Sequence, residues 1–411
     1  MIDQNKLNPI ERKSDLNEVL SKMTEFLDIT ASQYEDAVNK YNAIAVYLDN
    51  DENINELEPD MYPQGSFSLG TVIKPLNDQD EYDIDLVCEL QLGSTSEMTQ
   101  YALKELIGGR LKSGRYRNML KDLDGGRRCW TIEYAEDTKL HLDILPALPD
   151  NSTRITLASI GNIYAETAIN ITDKENENFY AINEDWVKSN PKGYQKWFKE
   201  QMTLMLNERK RVFAEVTLSQ IEDVPDYKVK TPLQRAIQLL KRHRDSFYGD
   251  NEDKPISIII TTLAAHAYGN ENNLYDALTN ILKNMPNFIK QDVRNGKYVT
   301  VIENPVDSRE NFADKWETSP NKERVFYEWL ENAKVYFQGL LEKTNFVALA
   351  DSLNEGLGKE ITKRAFTSIG KETKDFREQG NLYMKTGTGF LSTNSEKAKK
   401  VRDHNFYGSE E

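Results

Sequence analysis

The sequence is poor in cysteine and histidine, has fewer basic than acidic residues, and has no long apolar run. Two cysteines in 411 residues, Cys88 and Cys129, cannot build a disulfide framework or a thiolate zinc centre. Their apolar neighbours suit free thiols in a reducing compartment. Basic residues are outnumbered, 52 Lys+Arg against 67 Asp+Glu, which leaves a formal net charge of -15. A field of that sign repels long polyanions, so a duplex-coating or anionic-membrane protein is disfavoured and no nucleic-acid activator is indicated. No stretch approaches the roughly 18 apolar residues of a membrane span. The longest candidate, 256–267, is interrupted by Ser257, Thr261, Thr262 and His266. Met1 to Lys6 carry no basic segment leading into an apolar one, so the expectation is a cytoplasmic protein with no membrane partner. Against these absences stand 15 Phe, 20 Tyr and 5 Trp and a hydrophobic content of 38%, enough to rule out a core-less disordered chain. At roughly 150 residues per domain, two or three packed units are expected.

From Ile10 to Leu48 there is neither Gly nor Pro, and Leu20, Met23, Leu27, Ala31, Tyr34, Val38, Tyr41, Ala45 and Leu48 recur at helical spacing. This predicts one long amphipathic helix or two abutting ones, with Ser32–Glu35 as an internal capping box. Between Ser66 and Leu148 the period shortens towards two, punctuated by Gly108-Gly109 and Gly125-Gly126, as a sheet requires. After Trp186 the pattern is mostly helical, over 193–214, 231–247, 256–268, 275–283 and 322–341. The last stretch is polar and rich in Gly, Ser, Thr and Lys, as in a flexible tail. The fold class is therefore α+β: a helical spine, a mixed-sheet lobe and a helical lobe. The expected units are 1–185, 186–370 and a tail at 371–411.

The densest chemistry lies in Gln64-Gly65-Ser66-Phe67-Ser68-Leu69-Gly70-Thr71, followed by Glu81-Tyr82-Asp83-Ile84-Asp85-Leu86-Val87. In a strand alternate residues share a face, so Asp83 and Asp85 project together while Ile84 and Leu86 face the core. A second alternation, Leu140-His141-Leu142-Asp143-Ile144, offers a third acid, with His141 on its face. Carboxylates crowded at 4 Å repel by about 4 kcal/mol per pair at an effective dielectric of about 20, so positive charge must occupy that space. Hard oxygen donors of this kind suit two Mg2+ or Mn2+ ions, completed by substrate phosphates. Gly65 lets the backbone approach closely, and the Ser66 hydroxyl with its neighbouring N–H groups can hold a phosphate chain. A lone D-x-D reads more readily as a half-exposed strand after a turn; the upstream Gly-Ser and the third acid weigh against that here.

Gly65-Ser66, Asp83-Ile84-Asp85 and Asp143 together resemble the catalytic signature of the DNA polymerase β-like nucleotidyltransferase superfamily. Asp83 lies 17 positions after Ser66. That spacing, Gln64–Thr71 and His141–Pro146 are similar to the bacterial cGAS/DncV-like branch, the CD-NTases. The resemblance implies a bilobed polymerase β-like fold with an N-terminal spine helix and an oligoadenylate-synthase-like helical lobe. It also implies Gln64, Gly65 and Ser66 on the nucleotide, Asp83, Asp85 and Asp143 as catalytic metal ligands, and nucleoside triphosphates, ATP among them, as substrates.

The second lobe agrees. Thr231–Asp245 is an amphipathic helix with a basic far end, Lys241, Arg242 and Arg244. Cations there complement the helix dipole by only about 0.3–1 kcal/mol, whereas in an acidic chain they are also a candidate triphosphate clamp. Ser257 opens the next apolar helix, as a cap or as a phosphate donor. The resemblance implies that Lys241 and Ser257 hold the donor triphosphate. Trp186, Trp197 and Phe198 read as packing between lobes rather than as base contacts. Arg110, Lys112, Arg115, Arg117, Lys121, Arg127 and Arg128 read as a solvated face.

The resulting expectation is template-independent nucleotidyl transfer by attack of a ribose hydroxyl on an α-phosphate, and the resemblance implies that its products are cyclic di- or oligonucleotides. The resemblance adds bacterial antiviral signalling, a product-sensing effector and an accessory regulator. Val401–Gly408 resembles the tail of members encoded beside ubiquitin-like conjugation machinery, although Ser409-Glu410-Glu411 follow the glycine here. The rival readings are a linear oligonucleotide synthase, a D-x-D glycosyltransferase and a non-catalytic nucleotide-binding protein. A glycosyltransferase needs neither Gly65-Ser66 nor Asp143.

Overall fold

The structure is a computed structural model that describes residues 9–75, 82–134, 140–221, 226–294, 296–343, 345–385, 391–392 and 398–401. The tail resemblance at 402–408 lies outside the described residues.

The Gly- and Pro-free N-terminal stretch forms two helices, α1 (Pro9–Leu27) and α2 (Ala31–Asp49). The break is set by Thr30 and Gln33, which cap each other reciprocally. This is the same S/T-x-x-E/Q rule as the predicted Ser32–Glu35 box, satisfied two residues earlier. The break divides the spine between the lobes. Leu16, Leu20, Met23 and Leu27 of α1 enter the helical-lobe core, whereas Ala37, Ile44 and Leu48 of α2 enter the sheet-lobe core.

α3 (Glu52–Asn55) leads into β1 (Pro59–Pro63), the short helix α4 (Gly65–Leu69) and β2 (Tyr82–Leu90). α5 (Gln100–Lys112) crosses over to β3 (Trp130–Tyr134) and β4 (Leu140–Pro149). α6 (Asn151–Ser159), β5 (Ile169–Ile171) and β6 (Val187–Ser189) complete the lobe. The mixed sheet runs β1-β2-β4-β5-β6, with β3 also paired to β4. β2 and β4 are parallel, the pairing that a helical crossover permits. Ile84, Leu86, Leu140, Leu142 and Ile144 are fully buried against α2 and α5, which leaves the alternate residues on the opposite face. β6 carries the sheet past the expected boundary at 185; three residues are too few to show a period.

The predicted helix over 193–214 is two helices, α7 (Pro191–Gln201) and α8 (Thr203–Thr217), separated at Met202. α9 (Pro232–Tyr248), capped by Thr231 and Gln234, α10 (Ser257–Ala267) and α11 (Leu274–Asn284) follow the expected positions closely. Two hairpins that the helical pattern did not foreshadow come next: β7 (Lys290–Arg294) with β8 (Lys297–Val301), and β9 (Glu303–Asn304) with β10 (Asp307–Asn311). The lobe closes with α12 (Pro320–Leu340), α13 (Phe346–Leu357) and α14 (Lys359–Glu378). α14 continues helically beyond residue 371, where the tail was expected to begin, because it packs along α1 and its Glu372 pairs with Lys22 at 2.9 Å. Short strands β11 (Tyr383–Lys385), β12 (Leu391–Ser392) and β13 (Ala398–Lys400) pair with one another. Among the described residues no helix is long and apolar enough to cross a membrane.

Candidate active site

The acidic face of the sheet opens into a cavity of about 610 Å³ between the lobes. Strand register sets its floor. Asp85 on β2 lies directly opposite Asp143 on β4, and Asp83 lies opposite His141. On the far side of β4, Thr131 of β3 is paired with Asp143 and donates its hydroxyl to Oδ1 at 2.5 Å. His141 is turned between acids, Nδ1 3.4 Å from Asp83 Oδ1 and Nε2 3.6 Å from Glu133 Oε1. Asp83, Asp85 and Asp143 all line the cavity, with Gly65, Ser66, Lys241 and Ser257. Gln64 lines an adjoining cavity, and its backbone N–H donates to Asp85 O at 2.8 Å, which moors the Gly-Ser turn to β2.

Burial and, after it, mutual repulsion raise the carboxyls of this face. Burial, then the charges of Asp143 and Asp83, push the Asp85 carboxyl up to about 7, against a small opposing pull from Lys241. Burial and Asp143 also raise Asp83, opposed by His141. These hard oxygen donors suit Mg2+ or Mn2+. Among the described residues no three His, Cys, Asp or Glu side chains form a group that could hold an ion unaided. The donor set thus fits a cation that keeps waters and takes further oxygens from a bound phosphate, rather than one caged by protein.

The opposite wall is α9. Its Gln234 and Gln238 side chains donate to Leu69 O at 3.0 Å and Val72 O at 2.8 Å, and Lys241 Nζ donates to Thr71 O at 3.0 Å and Thr71 Oγ1 at 3.2 Å. Arg242 reaches Lys74 O and Pro75 O. One polar stripe at helical spacing therefore fastens the segment that follows the Gly-Ser turn. Arg242 does not line the cavity, but Arg244 does, donating to Pro255 O at 3.0 Å and to the Ser257 hydroxyl at 2.9 Å. Burial and then Arg244 bring the Lys241 ammonium down to about 7.

That depression fixes a pH signature. The unfolded lysine binds its proton more tightly than the folded one between about pH 7 and 10.5, so its contribution to stability rises across that window. Lys241→Met is expected to flatten this rise in thermal melts recorded from pH 7 to 10.

The other basic residues disperse. Arg110 lies on the Tyr47 ring, Lys112 pairs with Glu105 at 2.7 Å, and Arg127 and Arg128 clamp the buried Asp173 at 2.7 and 3.0 Å. Trp186, Trp197 and Phe198 are buried core residues. The sequence reading missed Thr71, Thr131 and the pair Gln234 and Gln238. The last two carried a signal, since amides four apart in line with Lys241 and Arg242 form one polar stripe on an amphipathic helix, which needs hydrogen-bond partners where it is buried.

Residues 59–146, which include Gln64–Ser66 and all three aspartates, match the family described as the nucleotidyltransferase domain of cyclic GMP-AMP synthase DncV-like proteins. A protein of Roseivirga ehrenbergii named c-di-GMP synthase is 29% identical over 399 residues, covering 96% of this chain and 98% of its own. The cyclic dinucleotide synthase CdnG of Bradyrhizobium diazoefficiens is 24% identical over 324 residues, 76% of this chain and 72% of its own. The structure of that CdnG, solved in complex with GTP, superposes with a TM-score of 0.64 at 20% identity, covering 87% of this chain and 99% of the other. CdnC of Escherichia coli MS115-1, solved in complex with a HORMA protein, gives 0.56 at 13% identity over 83% and 96% of the two chains. Residues 59–146 thus carry the signature of a DncV-like nucleotidyltransferase domain, and over nearly its whole length the chain is similar to a bacterial cyclic dinucleotide synthase and shares the fold of CdnG.

Proposed function

We propose that this chain joins nucleoside triphosphates into a cyclic dinucleotide second messenger. The observation that carries the reading is the convergence of Asp83, Asp85 and Asp143 with Ser66 and Lys241 on one cavity between the lobes. The relatives named for cyclic dinucleotides, one of them for c-di-GMP and another solved with GTP, support GTP as the first substrate to test beside ATP.

Mg2+ or Mn2+ ions, two in number, held by Asp83, Asp85 and Asp143 would supply charge neutralisation at the reacting phosphate. The chain's own groups do the rest. Ser66, Lys241 and the Arg244–Ser257 pair bind the donor phosphates, and Thr131 fixes the Asp143 carboxylate in place. Asp143 accepts the proton of the acceptor ribose hydroxyl. The hydroxyl oxygen bonds to the α-phosphorus as the bond to pyrophosphate breaks, and the departing charge falls beside Lys241. A second such attack, within the linear intermediate, closes the ring. A cytoplasmic role in defence against phage, with an effector that senses the product, belongs to this proposal. The HORMA protein bound to the related CdnC supports an accessory regulator.

The test is incubation with the four nucleoside triphosphates and Mg2+ or Mn2+, phosphatase treatment and mass spectrometry. A phosphatase-resistant cyclic dinucleotide is expected, and it disappears in the Asp83→Ala, Asp85→Ala double variant. Linear products alone mark a linear oligonucleotide synthase, and consumption of a sugar nucleotide marks a glycosyltransferase. A product that survives the double substitution overturns the site.

A further inference from the structure

Beside the Gly-Ser turn lies a second, smaller cavity of about 270 Å³. It shares Gly65, Asp85 and Ile258 with the acidic cavity, and past Ile258, Glu310 and Phe312 it opens into an interlobe cleft of about 1000 Å³. Its apolar lining includes Leu69, Pro191, Ile258, Tyr194 and Phe312, the last two rings meeting edge to face with centroids 6.1 Å apart. Besides Asp85, its acid is Glu310, carried on β10.

Glu310 is an unusual residue to hold there. Among the described residues it forms no ion pair. Its single hydrogen bond is accepted by Oε2 from Asn304 Nδ2 at 2.7 Å, which leaves Oε1 without a protein donor. Burial keeps its carboxyl above the usual range. The side chain is nonetheless fixed, because Asn304 is buried and accepts from Val306 N at 3.1 Å. Asn311 next to it pins the hairpin by accepting from Ile302 N at 2.9 Å and donating to Thr300 O at 3.0 Å. Held in place and half-buried, with one oxygen free of protein donors, this carboxylate is positioned to take donors from a ligand.

A purine has the right shape for the apolar lining, and the bases differ in what their edges offer. Guanine presents two adjacent donors, N1–H and the 2-amino group, which match the two oxygens of a carboxylate. Adenine presents one donor beside an acceptor, cytosine likewise, and uracil one donor between two carbonyls. Resting on the nucleotidyltransferase reading above, we propose that Glu310 selects guanine, accepting N1–H and the 2-amino group of a GTP base that lies against Ile258 and Phe312.

The test uses the full chain and non-hydrolysable GTP, ATP and ITP analogues in equilibrium binding, followed by steady-state kinetics. Wild type is expected to bind the guanosine analogue at least about 10-fold more tightly than the adenosine one, and the inosine analogue, which lacks the 2-amino group, in between. Glu310→Gln keeps the size and the Asn304 contact but replaces an acceptor with a donor. Guanosine binding should weaken roughly 10- to 100-fold while adenosine binding holds or improves, and KM for GTP should rise with kcat little changed. Glu310→Asp should show a smaller loss of the same sign, and unchanged melting temperatures exclude misfolding. Equal binding of both purines to wild type, or parallel loss of both in Glu310→Gln, overturns the assignment. Guanine selectivity with only linear products overturns cyclic synthesis and leaves Glu310 in place, whereas a cyclic product made without purine selectivity does the reverse.

Discussion

Asp85→Asn is expected to lower nucleotide turnover by at least about 1000-fold while making the metal-free protein more stable. The first half follows from charge: Asp85 is the carboxylate at the centre of the acidic face, opposite Asp143 on the neighbouring strand and two residues from Asp83. Loss of one group that organises cations at a reacting phosphate costs several kcal/mol of transition-state stabilisation. The second half follows from linkage. With its carboxyl raised to about 7, folded Asp85 binds a proton more tightly than in the unfolded chain, so wild-type stability falls as the pH rises from about 4 to 7 and is flat above. The penalty is fully present above pH 7, at most about 4 kcal/mol for a rise from 3.8 to about 7, and an amide removes much of it. Thermal melts in chelator should show Asp85→Asn melting above wild type at pH 8 and level with it near pH 4. Added Mg2+ or Mn2+ should raise the wild-type melting temperature by mass action and leave the variant nearly unmoved. A variant that is less stable at pH 8 and still active would remove Asp85 from the site.

The aspartates were legible in the sequence because strand alternation is a local property. Ile84 and Leu86 are fully buried, and Leu142 and Ile144 flank Asp143 in the same way, so the apolar positions alone assigned the acids to the other face. Gly65 and Ser66 were legible because few local structures need that pair just upstream of such a strand. What was not legible depends on tertiary pairing. Thr131 supports Asp143 only because β3 returns antiparallel to β4, a choice of neighbour that no local period encodes. The hairpin bearing Glu310 is Asp-Ser-Arg-Glu-Asn, with no apolar alternation, and is held by Asn311 side-chain bonds. The spine shows a milder form of the same limit. Helicity and amphipathicity were plain in sequence, but the division of α1 and α2 between two cores depends on where each apolar stripe finds its partner.

Gly65→Ala should cost more than about 100-fold in turnover together with about 1–3 kcal/mol of stability, and the two losses have separable causes. Gly65 has φ +61, a left-handed conformation in which a side chain costs about 1–2 kcal/mol. A Cβ there would also overlap Asp85 Oδ2 and stand 3.3 Å from its Cγ. The turn cannot simply retreat, because Gln64 N–H is bonded to Asp85 O at 2.8 Å and Thr71 N–H to Ser66 O at 2.9 Å. The Asp85 carboxylate must then leave its position, or Ser66 must move with the backbone, and either displacement falls on the reacting groups. Gly161→Ala separates strain from overlap: its φ is +75 with open space around a Cβ, so it should lose about 1–2 kcal/mol and keep its turnover. The double variant Gly65→Ala, Asp85→Ala completes the argument, since trimming the carboxylate removes the overlap but not the left-handed backbone. Its stability loss relative to Asp85→Ala should shrink to the Gly161→Ala value, a coupling of about 1 kcal/mol between the turn and the acid. Strict additivity of the two changes would show that Gly65 is required for its backbone alone, and that its contact with the Asp85 carboxylate carries no energy.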